Sequence, residues 1–266
     1  MKIQIGKALD EGFQTLLKNP IIFAPLLLAA ILSFLSSLYA AKLMLKFLGP
    51  LLPEGQFSLI PLALAQETTD APPLTSFDPS AISQLVPEIM SGVWGFMYQA
   101  LPLFLVVGLI AFICSLMAIR LSYNAMQGIK DFKGAFIMAI KKCVPLLISS
   151  LLVGIMVIVG SLLLIVPGIY LAIRFSYYLY AGMIEEEGIF GSLRRSWEVT
   201  AGNWWRTLGL LIIIALVAIV LGGLTNFLPP LGMASLIVMN VINLVITAWI
   251  TTILTCDYLE ARAEAA

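Results

Sequence analysis

Two arginines stand where a charge is costly to bury. Arg120 and Arg174 lie near the ends of long apolar runs, in Ala118-Ile-Arg-Leu-Ser-Tyr-Asn-Ala-Met-Gln-Gly128 and Ala172-Ile-Arg-Phe-Ser-Tyr-Tyr-Leu-Tyr-Ala-Gly182. Each precedes its glycine by eight residues, roughly 12 Å along a helix rising ~1.5 Å per residue. At the centre of a span a guanidinium costs ~2.5–3.5 kcal/mol on insertion scales, and less toward the boundary. Compensation has to come from a carboxylate, helix C-terminal carbonyls, a lipid phosphate or water. Two readings follow. The guanidiniums snorkel to the surface beside Tyr123 and Tyr177, or they form a pair of anion or lipid-headgroup contacts within a bundle. Arg194, Arg195 and Arg206 extend the same candidate set.

A second constellation is the stripe Asn240, Asn243, Thr247, Thr251 and Thr255, spaced by three or four residues. On a helix it makes one polar face, turned to protein or water rather than lipid. It either bonds neighbouring helices or lines a pathway. Ala29, Ser33, Ser37 and Ala41 form a small-residue ridge suited to close packing within or between chains. Asp257 and the run Glu185-Glu186-Glu187 lie near the boundary that carries Arg194, Arg195 and Arg206, and are within reach as their partners.

Much chemistry is excluded. There is no histidine, which removes the commonest general base and metal ligand. No hydrolase dyad, metal site or phosphate-binding loop is present in the pattern, so the chain reads as non-enzymatic and without cofactor. Cys114, Cys143 and Cys256 have no CxxC spacing and read as buried free thiols. Net charge is zero, with no basic stripe for nucleic acid. The lack of acids in mid-membrane weighs against a proton- or cation-coupled transporter.

The elements that must position these groups are membrane spans. Of 266 residues, 61% are hydrophobic and 11% charged, against about a quarter charged in soluble domains. Measured against the ~20 residues needed to cross hydrocarbon, six runs qualify: Pro20–Phe47, Gln99–Gln127, Val144–Val166, Ile169–Ile184, Trp204–Phe227 and Leu231–Cys256. Pro167-Gly168 and Pro229-Pro230 divide the later pairs. Thirteen of fifteen Lys and Arg fall at the N-terminus or where the second, fourth and sixth runs end. That side is cytoplasmic by the positive-inside rule, with both termini there. The loop 48–98 holds five acids and no Lys or Arg and is extracytoplasmic. Its stretch 80–98 has helical spacing, predicting a helix on the outer leaflet or over the bundle, and a possible partner surface. Leu62–Ala65 has the look of a signal cleavage site but no basic segment before it, and the first run is needed as a span.

The two arginine segments match at six of eleven positions with a constant offset of 54, which reads as a duplication. Amphipathic stretches precede the first, third and fifth spans, with breaks at Asn19-Pro20, Cys143-Val144-Pro145 and Gly202-Asn203-Trp204. The predicted fold is therefore one all-α membrane domain (1–266) of six transmembrane helices. It is built as three repeats, about 3–128, 129–187 and 188–262, each a cytoplasmic interfacial helix followed by two spans. Such helices lie among headgroups and meet anionic lipid.

Ser192-Leu-Arg-Arg-Ser-Trp-Glu-Val-Thr-Ala-Gly-Asn-Trp-Trp205 resembles a motif of the membrane domain found beside some glycerophosphodiester phosphodiesterases, and of small inner-membrane proteins of the UPF0259 type. Pro167-Gly168-Ile169-Tyr170 and the stretch Gly12-Phe13 to Asn19-Pro20 are similar to their turn and first helix. The resemblance implies six helices with cytoplasmic amphipathic segments and no established chemistry. The expected function is binding or organising lipid, or supporting the membrane and envelope, in the plasma or inner membrane. The alternative is a pore or transporter for a small or amphipathic solute. Expected partners are anionic lipids and a second copy of the chain.

Overall fold

The computed structural model describes residues 5–48, 79–224 and 233–265, and every regular element among them is helical. In chain order these are α1 (Ile5–Lys18), a 3-10 turn at Pro20–Ile22, α2 (Phe23–Leu48), α3 (Pro79–Met126), α4 (Phe132–Leu163), α5 (Ile165–Arg174), α6 (Tyr178–Ile184), α7 (Ile189–Leu224) and α8 (Met233–Ala265). Five stretches are long and apolar enough to cross a bilayer: Pro20–Met44, Ile89–Met126, Phe132–Leu163, Ile189–Gly223 and Ile237–Ala265. They turn Leu28, Ile31 and Leu35 of α2 and Leu151, Ile155 and Ile158 of α4 outward, apolar faces suited to lipid. The chain is a multi-pass membrane protein, all-helical among the described residues.

Lipid tails are as apolar as leucine, so helices associate here through close packing and buried polar bonds. The fully buried Leu116, Leu146, Tyr177, Met183, Val199 and Tyr258 form the core where α3, α4, α6, α7 and α8 converge. That core sits toward one end of the bundle, among Arg120, Arg195, Arg206 and Asp257; we call this the charged end. A tight turn enters it between α3 and α4. Gly128 takes a positive φ of 71°, the left-handed conformation that glycine adopts without penalty. Asp131 then caps α4 by accepting from the Gly134 amide at 2.8 Å.

Several boundaries differ from the sequence-based expectation. The expected fourth span, Ile169–Ile184, consists of two short helices, α5 and α6, separated at Phe175–Tyr177. The break between the third and fourth spans is at Leu164, which is extended (φ −161°, ψ 144°), while Pro167 and Gly168 lie inside the first turn of α5. Proline is tolerated there because first-turn amides have no helical acceptor. No break occurs at Cys143-Val144-Pro145: the amphipathic stretch and the third span form the single helix α4. The helix expected separately at 80–98 is the start of α3, which runs 48 residues through Pro87 and Pro102. The sixth span continues past Cys256 to Ala265. Residues 49–78 and the Pro229-Pro230 turn lie outside the described residues.

The other two breaks are present. Asn19 leaves the helical region (φ −129°, ψ 72°) before the 3-10 turn, and Asn203 does so inside α7 (φ −121°, ψ 24°). α1 precedes the Asn19 break. It packs lengthwise on α8, with Gly12 pressed against Ile253.

Gly168 allows α4 and α5 to touch. A Cβ there would meet the Cα and Cβ of Ser161 at 2.9 Å, whereas one at Gly154 would meet nothing within 4 Å. Gly168→Val is expected to cost about 1–3 kcal/mol by overpacking. Gly154→Val should be much milder, and thermal unfolding of the purified protein compares the two.

Candidate functional site

The break between α5 and α6 contains neither glycine nor proline, and α7 explains how it survives in a membrane. A broken helix frees backbone groups that lipid cannot satisfy. Ser196 Oγ donates to the freed Arg174 carbonyl at 2.9 Å and accepts the Tyr177 amide at 3.1 Å. Thr200 Oγ1 shares its proton between Arg174 O (3.1 Å) and Ser196 O (2.7 Å). One turn earlier, Ser192 Oγ lies 3.4 Å from Ser149 Oγ of α4. Ser192, Ser196 and Thr200 are all fully buried, one polar face at steps of four that staples α7 to the break.

Arg174 is the last residue of α5, and its side chain turns into an aromatic enclosure. Its guanidinium carbon lies 4.7 Å from the Trp197 ring centroid and 5.1 Å from that of Tyr170. Nε donates to Tyr170 Oη at 2.9 Å and Nη1 to the Trp197 carbonyl at 3.4 Å. Tyr170 meets Trp197 edge-on at 6.1 Å and Trp204 at 6.0 Å, and Phe175 backs Trp197 at 5.6 Å. The kink at Asn203 immediately precedes Trp204, whose indole Nε1 is buried with no hydrogen-bond partner. No carboxylate pairs with Arg174 among the described residues.

The other arginines are matched. Arg206 Nη2 reaches Asp257 Oδ1 at 2.8 Å, Nε reaches the same oxygen at 3.1 Å, and Glu260 and Glu264 complete the set. Arg195 Nε is forked across both oxygens of Glu185 at 3.1 and 2.9 Å, with Arg262 on the same carboxylate at 3.2 Å. Asp257 and Glu185 thus pair with two of the three arginines that the sequence set within their reach, while Glu260, Glu264 and Arg262 are additional partners. Arg194 pairs with Glu198 one turn along, in the open. Arg120 Nη1 donates to the Met183 carbonyl at 2.8 Å, near the C-terminal end of α6, and stands 3.5 Å from Glu186. Its guanidinium lies 5.5 Å from the Tyr123 ring. The Lys142 ammonium donates to the carbonyls of Glu186 and Glu187. A carbonyl of the last turn of α6 thus answers Arg120, and the turn that follows the helix answers Lys142.

Tyr177 does not accompany Arg174. It is fully buried and its hydroxyl donates to Asp257. Tyr258 does the same for Glu185, and the two rings are 5.7 Å apart, with Tyr180 against both. Three tyrosines therefore join the Asp257 and Glu185 networks into one buried block. The polar stripe divides. Thr255 is buried and donates to Thr251 O, while Asn243 and Thr247 stay exposed and donate to carbonyls of their own helix.

Sequence reasoning missed the α5–α6 break, the Ser196–Thr200 bracket and the enclosure around Arg174. The signal was the i, i+4, i+8 series Ser192, Ser196, Thr200, with Trp197 and Trp204 beside it on the same helix.

No curated protein and no solved structure matches the chain. A domain of unknown function, DUF7847, matches residues 3–261, spanning all the helices of this site, and the chain belongs to the DUF7847 family.

Proposed function

We propose that this is a non-enzymatic integral membrane protein that binds anionic lipid headgroups at its charged end, through Arg174. The observation that carries this is the inequality among the arginines: Arg120, Arg194, Arg195 and Arg206 each face a carboxylate, whereas Arg174 faces two neutral oxygens and two aromatic rings. A guanidinium held between aromatic faces is ordered by cation–π attraction and keeps its charge. The Trp204 ring, 6.0 Å from that of Tyr170, backs the enclosure. A phosphodiester accepts from the Arg174 guanidinium, and charge-assisted bonds to phosphate are the strong kind. Trp205 and Phe190, at 78% and 76% exposure, suit the headgroup boundary where acyl chains begin.

This reading sets the charged end on the cytoplasmic side, where the basic residues concentrate. It treats α5 and α6 as one broken crossing. α4 leads away from the charged end, and Glu185, just after α6, is back there beside Arg195, so the 20 residues Ile165–Ile184 make the return. The total is then six crossings. The helix–break–helix pattern at Asn19 and Asn203 supports repeated units, and the likeness of Ser192–Trp205 to the phosphodiesterase-associated membrane domain agrees with a role at the lipid boundary.

Native mass spectrometry of purified protein equilibrated with phosphatidylglycerol or phosphatidylcholine tests it. The wild type should retain phosphatidylglycerol preferentially. Arg174→Gln should retain at least five-fold less at an unchanged thermal midpoint, and Arg194→Gln should behave as wild type. Equal retention by Arg174→Gln and wild type would sink the proposal.

A further inference from the structure

A cavity of about 250 Å³ lies within the spans, between α2, α3 and α8. Five hydrogen-bonding side chains from three helices line it: Ser33, Ser115, Asn240, Asn243 and Thr247. No ionisable side chain does. Thr247 is ten residues, about 15 Å of helix, from Asp257, so the cavity is well separated from the charged end. Leu26, which lines it, and Leu116, Met117 and Ala248, next to Ser115 and Thr247 in the chain, belong to the buried core.

Three of the lining groups have capacity to spare. Ser115 donates to Ala111 O at 2.9 Å, Asn243 Nδ2 to Met239 O at 3.0 Å, and Thr247 to Asn243 O at 2.8 Å. Each therefore commits one proton to its own helix and keeps its oxygen lone pairs, and Asn243 keeps a second amide proton. Ser33, Asn243 and Thr247 are exposed, and polar groups facing an empty or acyl-filled space at this depth are costly. An occupant must offer hydrogen bonds, mostly as donor. It must also be uncharged, because nothing in the lining balances a charge. The space suits one such molecule, or roughly eight waters at ~30 Å³ each. The geometry points to a binding site for a small uncharged polyol or amide, held within the membrane by Thr247, Asn243 and Ser115. It is independent of the lipid site at Arg174.

Saturation-transfer NMR on the full chain in nanodiscs, with glycerol and urea as probes, tests this. The wild type should transfer saturation to at least one of them. Thr247→Val, nearly isosteric, should cut the effect at least five-fold, and Ala29→Leu, which fills the cavity from α2, should abolish it. Arg174→Gln should leave it unchanged. No transfer to either probe in the wild type, or equal transfer in Thr247→Val and Ala29→Leu, would overturn the inference. If Thr247→Val fails to fold, Ala29→Leu alone decides.

Discussion

Arg206→Ala is expected to destabilise the protein by about 3–5 kcal/mol, the range seen when one partner of a buried ion pair is removed. Asp257 is only 1% exposed at its side chain and Arg206 10%. Deleting the guanidinium leaves a buried carboxylate with the Tyr177 hydroxyl as its remaining donor. Asp257→Ala should be milder, at about 2–3 kcal/mol, because Arg206 keeps Glu260 and Glu264 and what is lost is a charge-assisted bond and its tyrosine donor. The order matters more than either value. Unfolding of the purified protein by heat or by denaturing detergent measures both, and Asp257→Ala proving the more damaging would mean that Arg206, not the aspartate, is the group in need of compensation.

The second large effect is expected at Glu185. Two guanidiniums and one phenol converge on this carboxylate, which is 13% exposed at its side chain. Glu185→Ala strands Arg195, whose other carboxylate is Glu198 at 3.6 Å, and the buried Tyr258 hydroxyl. We expect about 2–3 kcal/mol, with Glu185→Gln costing roughly half as much, since hydrogen bonds to charged groups contribute ~1.5–3 kcal/mol. The rings of Tyr177 and Tyr258 touch, so the Glu185 and Asp257 networks share a wall. Arg206→Ala and Glu185→Ala should therefore be non-additive by ~0.5–3 kcal/mol. Strict additivity in the double-mutant cycle would show that the tyrosines separate the two networks instead of joining them.

How much of this was legible without coordinates depended on whether the deciding physics was local. The long apolar runs were legible because crossing hydrocarbon imposes a length and excludes charge. The breaks at Asn19 and Asn203 were legible from an amphipathic stretch changing into an apolar one. That Asp257 and the Glu185 run would meet arginines was legible from charges gathered at one boundary; which arginine meets which acid was not, and Arg194 takes Glu198 instead. Proline misled in both directions. Pro145, Pro87 and Pro102 lie inside continuous helices, and Pro167 opens one, because tolerance of proline depends on what packs around the freed carbonyl. The consequential break, at Phe175–Tyr177, carries no turn residue. It exists because Ser196 and Thr200, some twenty residues later, replace the lost helical bonds. No window around Arg174 contains that information. For the same reason the two arginines looked equivalent in sequence and are not. Arg120 continues in helix for another six residues and meets the end of α6, while Arg174 ends its helix and meets tryptophan.

Arg174 is the one arginine of this set left for an outside anion. A density map of the wild type in phosphatidylglycerol nanodiscs, resolved well enough to place a headgroup, tests that most directly. We predict phosphate density in contact with the Arg174 guanidinium, absent from Arg174→Gln in the same lipid. An enclosure around Arg174 without headgroup density, with ordered lipid instead beside Arg194 or elsewhere on the charged end, would contradict it.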